Sequence, residues 1–145
     1  MRYGIGIDVS KGKSTVSVLS EDYEIILKPF DVYHDQDGIN YLLDKIKHLP
    51  KEECKIVLEH TGNYHLPIMT SLISEGYFVA GENAFKIKKH LDREIRKAKT
   101  DKKDSLKLAS YAIDNWNRLR QTILEEKTYK TLRFMSRQYL ESIAM

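Results

Sequence analysis

Four acidic residues set the chemical question: Asp8, Glu59, and the pair Asp101 and Asp104, three positions apart. On a helix, residues three apart project about 60° from one another, so the last two can serve one ligand together. Four carboxylates converging without cations would repel, and at least one would be driven toward its protonated form. A divalent ion removes that difficulty. With no His or Cys set alongside, an all-carboxylate donor group suits Mg²⁺ or Mn²⁺. Two such ions about 4 Å apart could clamp the attacking and leaving oxygens of a phosphodiester. Each acid alone also fits a plainer role. Asp8 beside "SKGKS" reads as a turn former, Glu59 as a strand-end charge, and Asp101 with Asp104 as the N-cap and N3 acids of a helix.

The elements that must position these acids follow from periodicity. In "RYGIGIDVS" the alternation puts Tyr3, Ile5, Ile7 and Val9 on one face and Gly4, Gly6 and Asp8 on the other, which predicts a sterically open face around the aspartate. "TVSVL" and "EIILKPF", separated by turns, complete an antiparallel meander whose third strand is expected to end near Pro29. Helical spacing runs from Asp37 to His48 and stops before Pro50. "CKIVLEH" reads as a buried strand with Val57 and Glu59 on one face. "LPIMTSLISEG" reads as a helix and "YFVAG" as another strand. This alternation predicts a mixed, layered α/β sheet. From Asp101 a helix is expected, with Leu108, Ala109, Ala112, Ile113 and Trp116 in one stripe and Trp116 in the core. Its pattern can continue to Met145, where the lack of a cap or breaker suggests an excised domain.

The chain has 145 residues, 41% of them apolar, enough for one sizeable core. Its single cysteine, Cys54, excludes a disulfide framework and thiolate zinc, and fits a reducing cytosol. No stretch approaches the roughly 20 apolar residues of a membrane span, so no membrane association is expected. Net charge is only +3, but residues 84–103 hold nine cations (Lys86, Lys88, Lys89, Arg93, Arg96, Lys97, Lys99, Lys102, Lys103) against three acids. A solvated helix or loop would account for the run alone. Its adjacency to Asp101 and Asp104 points instead to a nucleic-acid backbone. The segment has too few apolar residues to anchor firmly by itself. His60 and His65 beside "TGNY" read as structural, and Tyr64 as packing on its own loop.

"GIDVSK", "EHTGNY" and "KTDKKDSLKLA", in this order and approximate spacing, resemble the N-terminal domain of the DEDD insertion-sequence transposases, relatives of the Piv-type DNA invertases. The resemblance spans nearly the whole chain. It implies a RuvC-like domain of the ribonuclease H fold, a mixed five-stranded sheet with flanking helices, over residues 1–120. Residues 121–145 would begin a helical connector leading toward a coiled coil. It further implies that Asp8, Glu59, Asp101 and Asp104 are the family's acidic tetrad, holding two Mg²⁺ or Mn²⁺ ions for DNA strand cleavage and transfer in transposition. An element-encoded guide RNA, self-association through the C-terminal helix and a prokaryotic cytoplasm are implied as well. Ser105 stands where the family usually has alanine, and "ENAF" replaces a commoner Asn-Pro sequence. Family members carry a serine thought to be the nucleophile in a second domain, absent here. Ser10, Ser14 and Ser105 do not fill its place, since no histidine or lysine is arranged by the sequence to activate them. The isolated domain is therefore expected to bind metal and to be poorly active.

Two other readings fit parts of the chain. "GIDVSKGKS" also resembles the first phosphate-binding hairpin of actin-like and sugar-kinase-like ATPases, but a second glycine-rich loop is missing and the seven glycines are scattered. A catalytically silent nucleic-acid-binding or assembly domain would keep the basic segment and need no metal.

Overall fold

A computed structural model describes residues 1–60, 64–93 and 104–123. Five strands, β1 (Tyr3–Val9), β2 (Lys13–Ser20), β3 (Ile25–Tyr33), β4 (Cys54–Glu59) and β5 (Phe78–Glu82), form one sheet in the order β3-β2-β1-β4-β5. The first three make the antiparallel meander, and β4 and β5 add in parallel beyond β1. This is the mixed five-stranded, ribonuclease H-like sheet with flanking helices that the resemblance implied. Strand β3 does not end near Pro29 but runs through it to Tyr33. It lies at the sheet edge, where a residue lacking an N–H costs no ladder bond on its open side.

Helix α1 (Gln36–Ile46) starts at Asp35, whose carboxylate accepts from the Gly38 N–H at 2.6 Å. Together with α2 (Leu66–Ser74), which carries a proline in its first turn, it covers one face of the sheet. Ile5, Ile7, Val16, Val18, Ile56 and Leu58 meet Leu42, Ile46, Ile68 and Leu72 there, all fully buried. Helices α3 (Ala84–Arg93) and α4 (Asp104–Asp114) cover the other face, where Val57 and Ala80 pack with Ile87, Leu108, Tyr111 and Ala112.

Two expectations for this second layer need correction. The basic segment is anchored at its start: the Asn83 side chain accepts from the Phe85 N–H at 2.7 Å, Ile87 is buried, and the His90 ring stands edge-on to Tyr111 at 5.2 Å. A cap, one buried aliphatic and one aromatic contact hold α3 despite its lysines. Helix α4, in turn, stops at Asp114 rather than continuing. The chain turns over Asn115–Arg118 and comes back along β5, where Thr122 N–H donates to the Val79 carbonyl and the Thr122 hydroxyl accepts from Gly81 N–H, both at 2.9 Å. The open edge of β5 offers backbone partners that a longer helix would forgo. Trp116 is accordingly half-buried outside the core. Of the helical connector expected over residues 121–145, Gln121 and Thr122 instead bond to the edge of β5, and residues 124–145 lie outside the described residues. Among the described residues no helix is long and apolar enough to cross a membrane.

Candidate active site

The glycines of β1 determine how near the second layer comes. A Cβ at Gly4 would stand 2.5 Å from the Ala109 carbonyl oxygen, and one at Gly6 would meet the Ser105 carbonyl, the Ala109 nitrogen and, at 2.9 Å, the Leu108 Cβ. The glycine face is therefore not open, as alternation alone suggested. It is filled by the backbone of α4, which runs antiparallel to β1 with Ala109 and Ile113 over Gly4, and Ser105 and Ala109 over Gly6. Asp8 is the next residue of that face, at the end where α4 begins with Asp104.

Parallel pairing supplies the neighbouring acid. Ile7 lies opposite Leu58, so Asp8 and Glu59 reach the C-terminal ends of adjacent strands together. That is the end of an open α/β sheet where crevices form. Burial pushes the Asp8 carboxyl above its ordinary range, and the negative charge of Asp104 adds to the effect. Burial likewise raises Glu59, with further contributions from Asp8 and then Asp104. Three of the four predicted acids thus share one electrostatic neighbourhood. Asp104 exposes 69% of its side chain and lies 3.6 Å from Lys107, a surface pair of little energetic weight. Asp101 lies outside the described residues. Among the described residues, no group of three or more His, Cys, Asp or Glu side chains is close enough to hold a metal ion as it stands.

A further carboxylate was missed by the sequence reasoning. Glu82 is the register partner of Glu59 on β5, with only 12% of its side chain exposed and Lys86 Nζ 3.8 Å away. The signal was present in "YFVAGE", since Glu82 follows Ala80 by two positions and therefore shares its face. Lys86 balances it, and Lys88 and Lys89 are exposed on α3. Arg93 ends α3 with its side chain outside the described residues, as are Arg96, Lys97, Lys99, Lys102 and Lys103.

The serines divide as structural parts. Ser10 donates to the Lys13 carbonyl at 2.9 Å within the β1–β2 hairpin. Ser105 and Ser17, both fully buried, are hydrogen-bonded at 2.7 Å, which gives the hydroxyl at this position a packing role between α4 and β2. Contrary to expectation, a histidine does face Ser14: His34 Nε2 is 2.7 Å from its Oγ. Both are buried on the far side of β2, and burial pushes the His34 imidazole below its ordinary value, with Asp35 opposing. A neutral, enclosed pair of this kind braces β2 against the end of β3 and has no access to substrate. His60 and His65 stack at 5.0 Å between ring centroids, and Tyr64 is exposed.

Comparison with known proteins gives two kinds of match. A family model described as a transposase, of the DEDD and IS110 type, matches residues 5–145. Among solved structures, the RuvC of T. thermophilus in complex with a Holliday junction substrate is similar at 10% identity and a TM-score of 0.47, covering 99% of this chain and 96% of that one. A second Thermus thermophilus RuvC structure is similar at 10% identity and a TM-score of 0.45, covering 98% and 96%. No curated protein matches the chain.

Proposed function

The chain belongs to the DEDD transposase family of the IS110 type, and from that membership we propose that the acids at the C-terminal ends of β1 and β4 form the centre for DNA strand cleavage and transfer in transposition. The observation that carries the reading is the approach of Asp8, Glu59 and Asp104 from three separate elements, close enough that the Asp104 charge adds to burial in disfavouring ionised Asp8 and Glu59. Natural packing seldom gathers like charges at a strand end without a cation to offset them. An all-oxygen donor set fits Mg²⁺ or Mn²⁺, and we assign Asp8, Glu59, Asp101 and Asp104 to hold two such ions. When bound, they supply charge stabilisation for the phosphodiester and lower the pKa of an oxygen nucleophile.

Asp101 enters as the fourth member through the family resemblance, and the spacing of α4 on β1 bears on Asp104. Four helical residues advance about 6 Å and two strand residues about 6.6 Å. The pairing of Gly4 with Ala109 and Gly6 with Ser105 therefore brings the start of α4, at Asp104, toward the level of Asp8. Lys86, Lys88, Lys89, Arg93, Arg96, Lys97, Lys99, Lys102 and Lys103 position the phosphate backbone without reading sequence. The guide RNA, self-association through the C-terminal helix, a catalytic domain over 1–120 with a connector over 121–145, and a prokaryotic cytoplasmic setting complete the proposal.

Calorimetric titration with Mn²⁺ tests it. The parent chain binds the ion, and Asp8→Ala or Asp104→Ala abolishes the binding. Equal affinity in both variants and the parent rejects the assignment.

A further inference from the structure

The pole of the sheet opposite the carboxylates carries the reverse charge. Arg2 precedes β1, Lys55 is the second residue of β4, Arg118 closes the turn after α4, and Arg120 follows it. Trp116 lies among them: the Arg2 guanidinium is 5.5 Å and the Lys55 ammonium 5.0 Å from its ring centroid, and Lys55 donates to the Trp116 carbonyl at 2.7 Å. Burial lowers the Lys55 pKa, and the charges of Arg2 and Arg120 lower it further, so both guanidinium groups stand close enough to act on the ammonium. Among the described residues none of Arg2, Lys55, Arg118 and Arg120 forms an ion pair with a carboxylate. The neighbouring acid is already engaged, since Asp114 Oδ2 is 2.9 Å from His90 Nε2 and Oδ1 accepts from the Tyr23 hydroxyl.

A cavity of about 440 Å³ opens at this cluster, lined by Arg2, His90, Asn115, Trp116, Asn117 and Arg118 together with Ile113 and Asp114. Its donors are the guanidinium forks of Arg2 and Arg118 and the carboxamide of Asn117, a set that matches phosphate oxygens, while the Asn115 amide already donates to the Tyr111 carbonyl at 3.1 Å. A second cavity of about 250 Å³ shares His90, Asn115 and Arg118 with the first and extends along α3 to Lys89, Lys86 and Glu82. An isolated anion would need only the first cavity. A continuous series of cations ending beside the acids at β5 suits a linear polyanion.

We infer that this groove, from Arg2, Trp116 and Arg118 past Asn115 to Lys89 and Lys86, is a track for the phosphodiester backbone of DNA reaching to the pole remote from the carboxylates. Arg2 and Asp8 are six strand positions apart, about 20 Å. At about 3.4 Å per phosphate along one strand, the track adds roughly six nucleotides of contact to those at the acids. The inference rests on the nucleic-acid reading above and extends it to residues outside the basic segment.

Trp116 is the only tryptophan in the chain, so its emission reports from within the groove. A short labelled duplex is titrated into the full chain, following label anisotropy and Trp116 emission at several salt concentrations. The parent shows salt-dependent binding with a saturating change in emission. In the Arg2→Ala/Arg118→Ala double variant the slope of log K against log salt falls by about 1.8, from two lost contacts at about 0.9 each, while Mn²⁺ binding persists. Arg2→Lys/Arg118→Lys restores the slope, as a phosphate contact requires and a packing role does not. Parent binding with an unmoved Trp116 signal, or an unchanged slope in the alanine variant, overturns this inference and leaves the metal centre standing. A parent chain without salt-dependent DNA binding overturns both the groove and the nucleic-acid reading behind it.

Discussion

Gly6→Ala offers the sharpest test of how the site is built, because two effects predict opposite signs. In an ordinary strand position that accepts alanine, the substitution stabilises by about 0.4–1 kcal/mol through the unfolded chain. Here the new methyl would overlap the Ser105 carbonyl and the Ala109 nitrogen, and would stand 2.9 Å from the Leu108 Cβ. Carbon atoms prefer about 3.5–4.0 Å, so even the least severe of the three contacts requires α4 to retreat by about 0.6 Å. Overpacking of this kind costs about 1–3 kcal/mol. The retreat also stretches the buried Ser17–Ser105 hydrogen bond of 2.7 Å, with a net worth of about 1 kcal/mol.

The expected loss is therefore about 2–4 kcal/mol. With an unfolding entropy of about 2.1 cal/mol/K per residue over 145 residues, that lowers Tm by roughly 7–13 °C. Differential scanning calorimetry measures it directly. The same variant weakens Mn²⁺ binding, since moving α4 carries Asp104 away from Asp8. A Tm equal to or above that of the parent would refute close seating of α4 on β1, and with it the account of how Asp104 reaches the strand ends.

Further outcomes follow from the electrostatics and from one buried hydrogen bond. The folded Asp8 and Glu59 carboxyls keep their protons to higher pH than unfolded ones, so the metal-free protein loses stability as pH rises from about 4 through the folded values. Asp8→Asn removes part of that penalty and raises the urea midpoint at pH 7 without metal, while weakening Mn²⁺ binding; a lowered midpoint would contradict it. Ser14→Ala leaves the buried His34 Nε2 without its 2.7 Å partner and costs about 1–3 kcal/mol by urea denaturation, whereas a loss under about 0.5 kcal/mol would show the pair to be idle. Because burial holds His34 below the unfolded value near 6.5, only the unfolded chain takes up this proton as pH first falls past that value, and stability declines on the acid side. In His34→Gln that part of the decline disappears.

What could be read from the sequence, and what could not, divides by the range of the interaction. The period of two in "YGIGIDV" correctly put Gly4, Gly6 and Asp8 on one face, because side-chain alternation is a property of the strand itself. It could not say that the face was occupied, since the occupant, α4, enters about a hundred residues later. The same limit explains Ser14 and His34, which meet across two strands, and Glu82, whose proximity to Glu59 exists only in the β4–β5 register. The end of α4 illustrates a different limit. Apolar spacing past Asp114 permits more helix, but the unpaired edge of β5 and the Lys55 ammonium beneath Trp116 favour a turn, and neither competitor is visible locally.

Asp8 and Glu59 stand out in the sequence for a physical reason. Carboxylates at the ends of apolar runs carry a desolvation cost that local structure does not explain, so each one points beyond its own element. Joined by parallel pairing and approached by a helix seated on glycines, both lie where the Asp104 charge adds to burial in disfavouring their ionised forms. The opposite pole shows the same logic with the sign reversed, where Arg2 and Arg120 disfavour the charged Lys55 and, among the described residues, none of the three pairs with a carboxylate. On the proposed reading, a fold that separates its charges to two ends of one sheet has the first offset by cations and the second by phosphates. Both ends then belong to one binding event: a DNA backbone laid along α3 would relieve the cationic pole and deliver a phosphodiester to the acidic one.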